Sequence, residues 1–178
     1  GHVRKGGPGG EALVGADGSS IYDVDLAERL KGLSAREAWI GIAACYGGGF
    51  TEVMGPGRVL TGAAAANEVA YENTGMGRSY MVEYMVRLAM VEKRAPETVQ
   101  TAFAWARDQL RRDYPNRVPV QFDQSDGVID LRPPGVPPVK RQSTPPPPRS
   151  GGNESTPPPP PPAPADDCTE TLTVRWCN

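Results

Sequence analysis

Most of the 20 prolines in this 178-residue chain lie after Leu131, with unbroken runs of four (Pro145–Pro148) and six (Pro157–Pro162). Proline fixes its own φ and has no N–H to give to a helix or a sheet ladder. Residues 133–167 are therefore expected to form extended, disordered polyproline-like coil, a stalk that spaces the tail from what precedes it. The only apolar residues there are proline, alanine and valine, too few to offset the entropy of ordering the chain. This divides the sequence into one globular unit (1–132), a linker (133–167) and a short tail (168–178). A polyproline-recognising module stands as an alternative partner of the stalk.

Charge removes two classes of partner. Nineteen basic residues face 21 acidic ones, and neither sign forms a long run. No electrostatic footprint for nucleic acid or an anionic membrane is present. No apolar stretch approaches the roughly 18 residues that suggest a membrane span.

Within the globular unit the pattern alternates. Ala12–Val14 reads as a short strand, Asp17–Gly18 as a turn, and the glycines around Gly6–Gly10 as a flexible loop. Asp23 is placed as the N-cap of a helix carrying Leu26, Ala27, Leu30 and Leu33, with Lys31–Gly32 as its stop. The continuous apolar run Ala38–Ala44 suits a strand covered on both faces, and Arg58–Ala64 a second one. Two apolar stripes follow at helical spacing. One holds Met81, Tyr84, Met85, Leu88 and Val91; the other holds Val99, Ala102, Phe103, Ala106 and Leu110, with Pro96 in its first turn. Val118–Phe122 and Val128–Leu131 read as extended segments around a turn. Such alternation predicts an α/β fold built on a sheet layer.

The three cysteines divide as two and one. Cys168 and Cys177 flank the alternating stretch Leu172–Trp176 and could close a small disulfide loop, which points to an extracellular or cell-surface setting; two free thiols would fit the cytoplasm. No further His or Cys lies near enough to complete a metal site, and no cofactor motif is present. Asp17, Asp23 and Asp25 lack calcium-loop spacing and are assigned to the turn and the cap.

Cys45 stands alone, at the C-terminal end of the first apolar run. In open parallel sheets ligands bind beyond the strand ends, so the thiol is placed where active sites form. Gly47, Gly48 and Gly49 after it allow a sharp turn and close approach of backbone N–H groups to a reacting carbonyl. Free cysteines are also among the most buried and inert residues, so a purely structural thiol is the alternative. A nucleophilic thiol needs a base, and the chain has one histidine, His2. His2 is either that base or a remnant of a cleaved tag. Between it and Cys45 there is room for a strand, a helix and a return strand, which would bring the two strand ends side by side in a shared sheet.

The order His2, glycine-rich loop, helix, apolar strand, Ala44–Cys45, glycines resembles the caspase, legumain and gingipain clan of cysteine peptidases. Ala44 to Phe50 (Ala-Cys-Tyr-Gly-Gly-Gly-Phe) is its most specific part. Arg58 to Glu68 is similar to the strand and loop after the nucleophile in bacterial legumain-like peptidases, and Gly77 to Tyr84 to the opening of their next helix. The resemblance spans about Gly1 to Leu131. It implies a caspase-like three-layer sandwich whose first strands are missing. It also implies an endopeptidase acting on proteins or peptides, with Cys45 as nucleophile and His2 as general acid/base. Backbone N–H groups near Cys45 are implied as the oxyanion site, with Val3, Ala43, Tyr46 and Gly47 beside the substrate. Two positions depart from the pattern: Val3 replaces the glycine after the histidine, and Ala43 stands where several branches carry an acidic residue or glutamine in the S1 pocket. Val3 and the truncated start motivate the alternative of a catalytically inactive caspase-like binding or display module, and the missing first strands, which would expose pairing edges, that of a fragment with no function alone; Ala43 leaves a basic or acidic P1 preference unread.

Overall fold

The structure, a computed structural model, describes residues 2–7, 10–73 and 75–132, and the backbone of 168–171 and 174–177. The proline-rich stretch 133–167 lies outside the described residues, as do the side chains of His2, Cys168 and Cys177.

The chain forms a mixed α/β fold of small sheets and helices. β1 (His2–Gly7), β2 (Gly10–Val14) and β3 (Ser20–Tyr22) make an antiparallel meander. Glycines 6, 7 and 10, expected as a loop, belong to this ladder: Gly7 pairs with Gly10, and the register slips between Arg4 and Gly7. The second turn is set by Gly18 at φ +80, the left-handed conformation glycine adopts without a Cβ penalty, and by the Asp17 carboxylate accepting from Ser19 N–H at 3.0 Å.

α1 (Asp23–Leu30) buries Leu26, Ala27 and Leu30 against the core. Asp23 is not its N-cap. Tyr22 holds that position without a side-chain bond, and Asp23 is the first helical residue, almost fully buried. Its carboxylate accepts from Val24 N–H (2.7 Å) and from Glu11 N–H on β2 (3.2 Å). The group expected to cap a helix instead satisfies a helix donor and a strand donor together. At the other end, Arg58 donates to Leu30 O (2.6 Å) and to Val53 O (2.8 Å), supplying a partner for a carbonyl that a helix terminus leaves open.

β4 (Ala38–Ile42) and β5 (Arg58–Gly62) pair in parallel, and β8 (Val120–Asp123) pairs antiparallel with β5, giving the order β4-β5-β8. β4 has β5 as its one sheet partner among the described residues, so it is an edge rather than the interior strand its apolar run suggested. The sheet divides two cores through the alternation of β5. Leu60 joins the core holding Cys45, Phe50 and Val53, whereas Val59 joins the core under the later helices. Burying a side chain of this size contributes about 1.5–3 kcal/mol. Buried Thr61 is satisfied by Trp39, whose indole N–H donates to its hydroxyl at 2.9 Å. The segment 128–131, expected to be extended, makes only the isolated bridge Thr98↔Asp130.

The first of the two later helices is a π-helix, Val82–Val91, with Glu92 N–H reaching back five residues to Arg87 O at 2.8 Å. Wider winding turns each residue through less than the α-helical angle, so the stripe read at 3.6-residue spacing drifts. Met81, Met85 and Ala89 are buried, Glu83 is drawn inward, and Val91 is 68% exposed. α2 (Val99–Asp113) buries the five residues expected of it. Its start is set by a reciprocal capping box, Thr101 N–H to Thr98 Oγ1 and Thr98 N–H to Thr101 Oγ1, both 3.0 Å, while Pro96 lies ahead of the cap. Two-residue strands β6 (Glu72–Asn73) and β7 (Arg78–Ser79) pair before the π-helix. β9 (Cys168–Thr171) and β10 (Val174–Cys177) form an antiparallel hairpin whose register sets Cys177 opposite Cys168.

Buried Glu83 anchors the π-helix. Arg87 Nε donates to both its oxygens, at 2.7 and 2.8 Å, and Arg78 stands at 3.4 Å. The Arg87 hydrogen bonds hold the Glu83 carboxyl below its ordinary range, against the opposing effect of burial. A carboxylate with a depressed folded pKa contributes stability that is present above the unfolded pKa and lost as pH falls through the folded value. Glu83→Gln is therefore expected to lower the melting temperature at pH 7 by about 2 °C, a small effect because the two arginines are partly solvated. The gap from the parent should narrow as pH falls below 4.5. Parallel melting curves at pH 7 and pH 3 check this.

Candidate active site

The chain leaves β4 at Ile42, whose carbonyl still accepts Ala63 N–H at 3.0 Å, and turns through Ala43 and Ala44 to Cys45. Tyr46 then adopts φ 56, a left-handed conformation that costs a non-glycine residue about 1–3 kcal/mol. Two clamps hold it there: Tyr46 N–H donates to Glu68 O and Gly48 N–H to Ala64 O, both at 2.9 Å. A short 3-10 turn, Gly47–Gly49, follows.

The glycines serve close packing rather than donor exposure. A Cβ on Gly47 would lie 2.7 Å from Ile42 O, and one on Gly48 would lie 2.7 Å from Val120 Cγ2. Gly62, at the end of β5, meets the turn from the other side: a Cβ there would stand 2.6 Å from Gly48 N and 2.7 Å from Gly47 C. The N–H groups expected to face a substrate are spent internally, with Gly47 donating to Ala44 O (3.2 Å) and Gly49 to Tyr46 O (2.8 Å). Among the described residues, no acceptor takes the N–H of Cys45 itself.

The Cys45 thiol is buried, with the residue 8% exposed, and donates a weak bond to Ala70 O at 3.6 Å. Val3 packs in the same core as Cys45 and Tyr46, so its side chain is a packing group rather than a wall of an open site. Ala43 packs on the opposite core with the π-helix and α2, away from the thiol. The structure thus brings Val3, Cys45, Tyr46 and Gly47 together and sends Ala43 to the other face. The backbone of His2 lies in β1 opposite Val14, and the position of its imidazole lies outside the described residues. The expected shared sheet does not form: β1 belongs to the meander β1-β2-β3 and Cys45 follows β4 of a separate sheet. The pairings Gly7↔Gly10 and Val14↔Ser20 make β1, β2 and β3 local antiparallel neighbours rather than strands of the parallel sheet that holds β4.

Behind the turn, Glu11 abuts Gly49, where a Cβ would come within 2.8 Å of its carboxyl carbon. Burial first, and then the Asp23 carboxylate, raise the Glu11 carboxyl above its ordinary range. No group of three or more potential metal ligands occurs among the described residues.

In front of the turn lies an open groove of about 520 Å³. Tyr46, Asn67, Glu68, Val69 and Tyr71 form one side, and Pro115, Asn116 and Val118 the other. Its two sides are fastened through Arg117, whose guanidinium carbon sits 4.7, 4.8 and 5.0 Å from the ring centres of Tyr71, Tyr80 and Tyr114. Tyr80 and Tyr114 touch at 4.6 Å between centres. Each cation–π contact of this kind contributes about 0.5–2 kcal/mol. These groove residues come from segments far apart in sequence: Tyr46, Asn67, Glu68 and Val118 lie within stretches singled out from the sequence, and Val69, Tyr71, Pro115 and Asn116 do not. No helix among the described residues is long and apolar enough to cross a membrane. Compared with family models and with curated proteins, the chain matches none of them.

Proposed function

We propose that the chain is a cysteine endopeptidase of the caspase/legumain kind, with Cys45 as nucleophile and His2 as general acid/base. The observation that carries this reading is the turn at Cys45. A buried thiol lies just beyond a parallel strand, its own N–H is without an acceptor among the described residues, and the next residue, Tyr46, is held at a strained φ and lines a groove of peptide-binding size. Fixed strain next to a reactive group is where the fold holds a functional geometry at the expense of local stability.

In this reading Cys45 Sγ, deprotonated by His2, attacks the scissile carbonyl carbon and forms an S–C bond, while the oxyanion is held by Cys45 N–H. The C–N bond then breaks, and the imidazolium returns its proton to the leaving amine. Water, giving a proton to His2, hydrolyses the thioester and frees the thiol. Tyr46 N–H and Gly47 N–H keep the turn in shape and take no part as donors. No cofactor enters.

Incubation of the full chain with a mixed peptide library, read by mass spectrometry, tests the proposal. Cleavage is expected from the parent and none from Cys45→Ala; equal product sets from both would overturn it.

A second reading is favoured by the burial of Cys45 within the Val3–Phe50 core and by its bond to Ala70 O. In that reading the thiol is a packing group and the domain is a caspase-like binding module.

A further inference from the structure

We propose that Cys168 and Cys177 form an intrachain disulfide that closes the β9–β10 hairpin covalently. The bond is independent of the peptidase reading and uses the two thiols that reading leaves idle.

Strand register carries the proposal. β9 and β10 are antiparallel, with Val174 opposite Thr171, Arg175 opposite Glu170, Trp176 opposite Thr169 and Cys177 opposite Cys168. Only residues 172 and 173 separate the two strands, so Thr171 and Val174 are the closing pair of a two-residue connection. A closing pair of that kind exchanges its ladder hydrogen bonds, and hydrogen-bonded and non-hydrogen-bonded pairs alternate outward from it. Glu170 and Arg175 are then a non-hydrogen-bonded pair, Thr169 and Trp176 a hydrogen-bonded one, and Cys168 and Cys177 a non-hydrogen-bonded one. Pairs of the last class stand about 4.5 Å apart at Cα, closer than the other class. A disulfide spans roughly 4.4–6.8 Å between Cα atoms. The two cysteines therefore occupy positions that a disulfide bridges without backbone movement. A slip of one residue would instead set Cys168 against Trp176 or Asn178.

The hairpin and the bond support each other. A two-stranded hairpin alone is marginal in water, and the opposite charges of Glu170 and Arg175 across the ladder add only a little. A covalent closure removes open conformations from the unfolded tail. In return, the register keeps each cysteine at short chain distance from the other. Cys45, the remaining cysteine, is buried in the core with Phe50 and Val53.

The oxidant is a small-molecule disulfide. One cysteine thiolate attacks a sulfur of that disulfide, forming a mixed disulfide and releasing one small thiolate. The second cysteine thiolate attacks the protein sulfur of the mixed disulfide and releases the other half. The two thiol protons pass to the released thiolates. Two protein thiols and one small disulfide thus become one protein disulfide and two small thiols.

The test uses the full chain carrying Cys45→Ala, so that only the two tail thiols remain. At low protein concentration it is equilibrated with mixtures of oxidised and reduced glutathione, quenched in acid, alkylated and digested with trypsin. Cleavage after Arg149 and Arg175 leaves the two cysteines on separate peptides, 150–175 and 176–178. Mass spectrometry is expected to find these peptides joined and lighter by two hydrogen atoms than their sum. Val174→Pro removes a ladder N–H next to the turn and should shift the balance about tenfold towards the free thiols. Peptides that stay separate, whether alkylated or carrying glutathione, would overturn the proposal, and so would joining only between two chains or equal joining in Val174→Pro. The parent chain should give the same joined peptides; Cys45 linked to either tail cysteine would also overturn it.

Discussion

Gly62→Ala is expected to destabilise the protein by about 3 kcal/mol, the upper range for forcing extra volume into a packed site. The new methyl would meet Gly48 N at 2.6 Å, Gly47 C at 2.7 Å and Ala64 O at 3.1 Å, all of them backbone atoms. No side chain can swing away to relieve the contact. Either β5 or the Cys45–Gly49 turn has to move, and moving the turn stretches the bond from Gly48 N–H to Ala64 O. Gly18→Ala is the informative control. Nothing lies within 4 Å of its added Cβ, so its cost is the left-handed backbone alone, about 1–2 kcal/mol. Urea unfolding of the two variants separates the effects. A Gly62→Ala chain that unfolds at the parent's midpoint would show that the turn does not press on β5.

His2→Ala is expected to lower kcat/KM for peptide hydrolysis by about 10² to 10⁴, the usual contribution of a positioned general acid/base. It is the one histidine in the chain, so no second imidazole can replace it. The rate that remains should also lose the pH-dependent limb that a titrating imidazole gives the parent's profile. A His2→Ala chain with the parent's rate and the parent's profile would remove imidazole from the mechanism.

The elements read correctly from sequence are those in which local pattern and tertiary packing agree. β2, β4, β5 and α2 lie close to where alternation, apolar runs and helical stripes put them, because their apolar residues meet cores on the expected faces. The misreadings have separable physical causes. The π-helix breaks the 3.6-residue assumption, which is why Val91 is exposed and Glu83 is buried. Asp23 looks like a cap from its neighbours, but a long-range donor, Glu11 N–H, fixes its role. Gly6, Gly7 and Gly10 look like loop residues, although glycine can also pair in a ladder; Pro8 and Gly9 lie outside the described residues. Periodicity gives the strands and not their order, so a shared sheet for His2 and Cys45 was a natural expectation that the pairing of β1 with β2 in a separate sheet overrules.

For the site, the place of Cys45 beyond a strand was legible, and so was the need for glycines after it. Their use was not: close backbone packing against Gly62 and Ala64 is a long-range fact, whereas donor exposure is what a local reading suggests. The groove was invisible because Glu68, Tyr71, Asn116 and the Arg117 clamp converge only in three dimensions.

The claim that Cys45 is an activated nucleophile is tested most directly by its alkylation rate. Iodoacetamide is added to the full chain near pH 6.5, folded and in urea, and the mass adduct at Cys45 is followed over time in the parent and in His2→Ala. An activated thiol reacts faster in the folded parent than in the unfolded chain, and His2→Ala removes that advantage. Slower reaction in the folded parent than in urea, with no change on His2→Ala, would make Cys45 a packing residue and contradict the peptidase account.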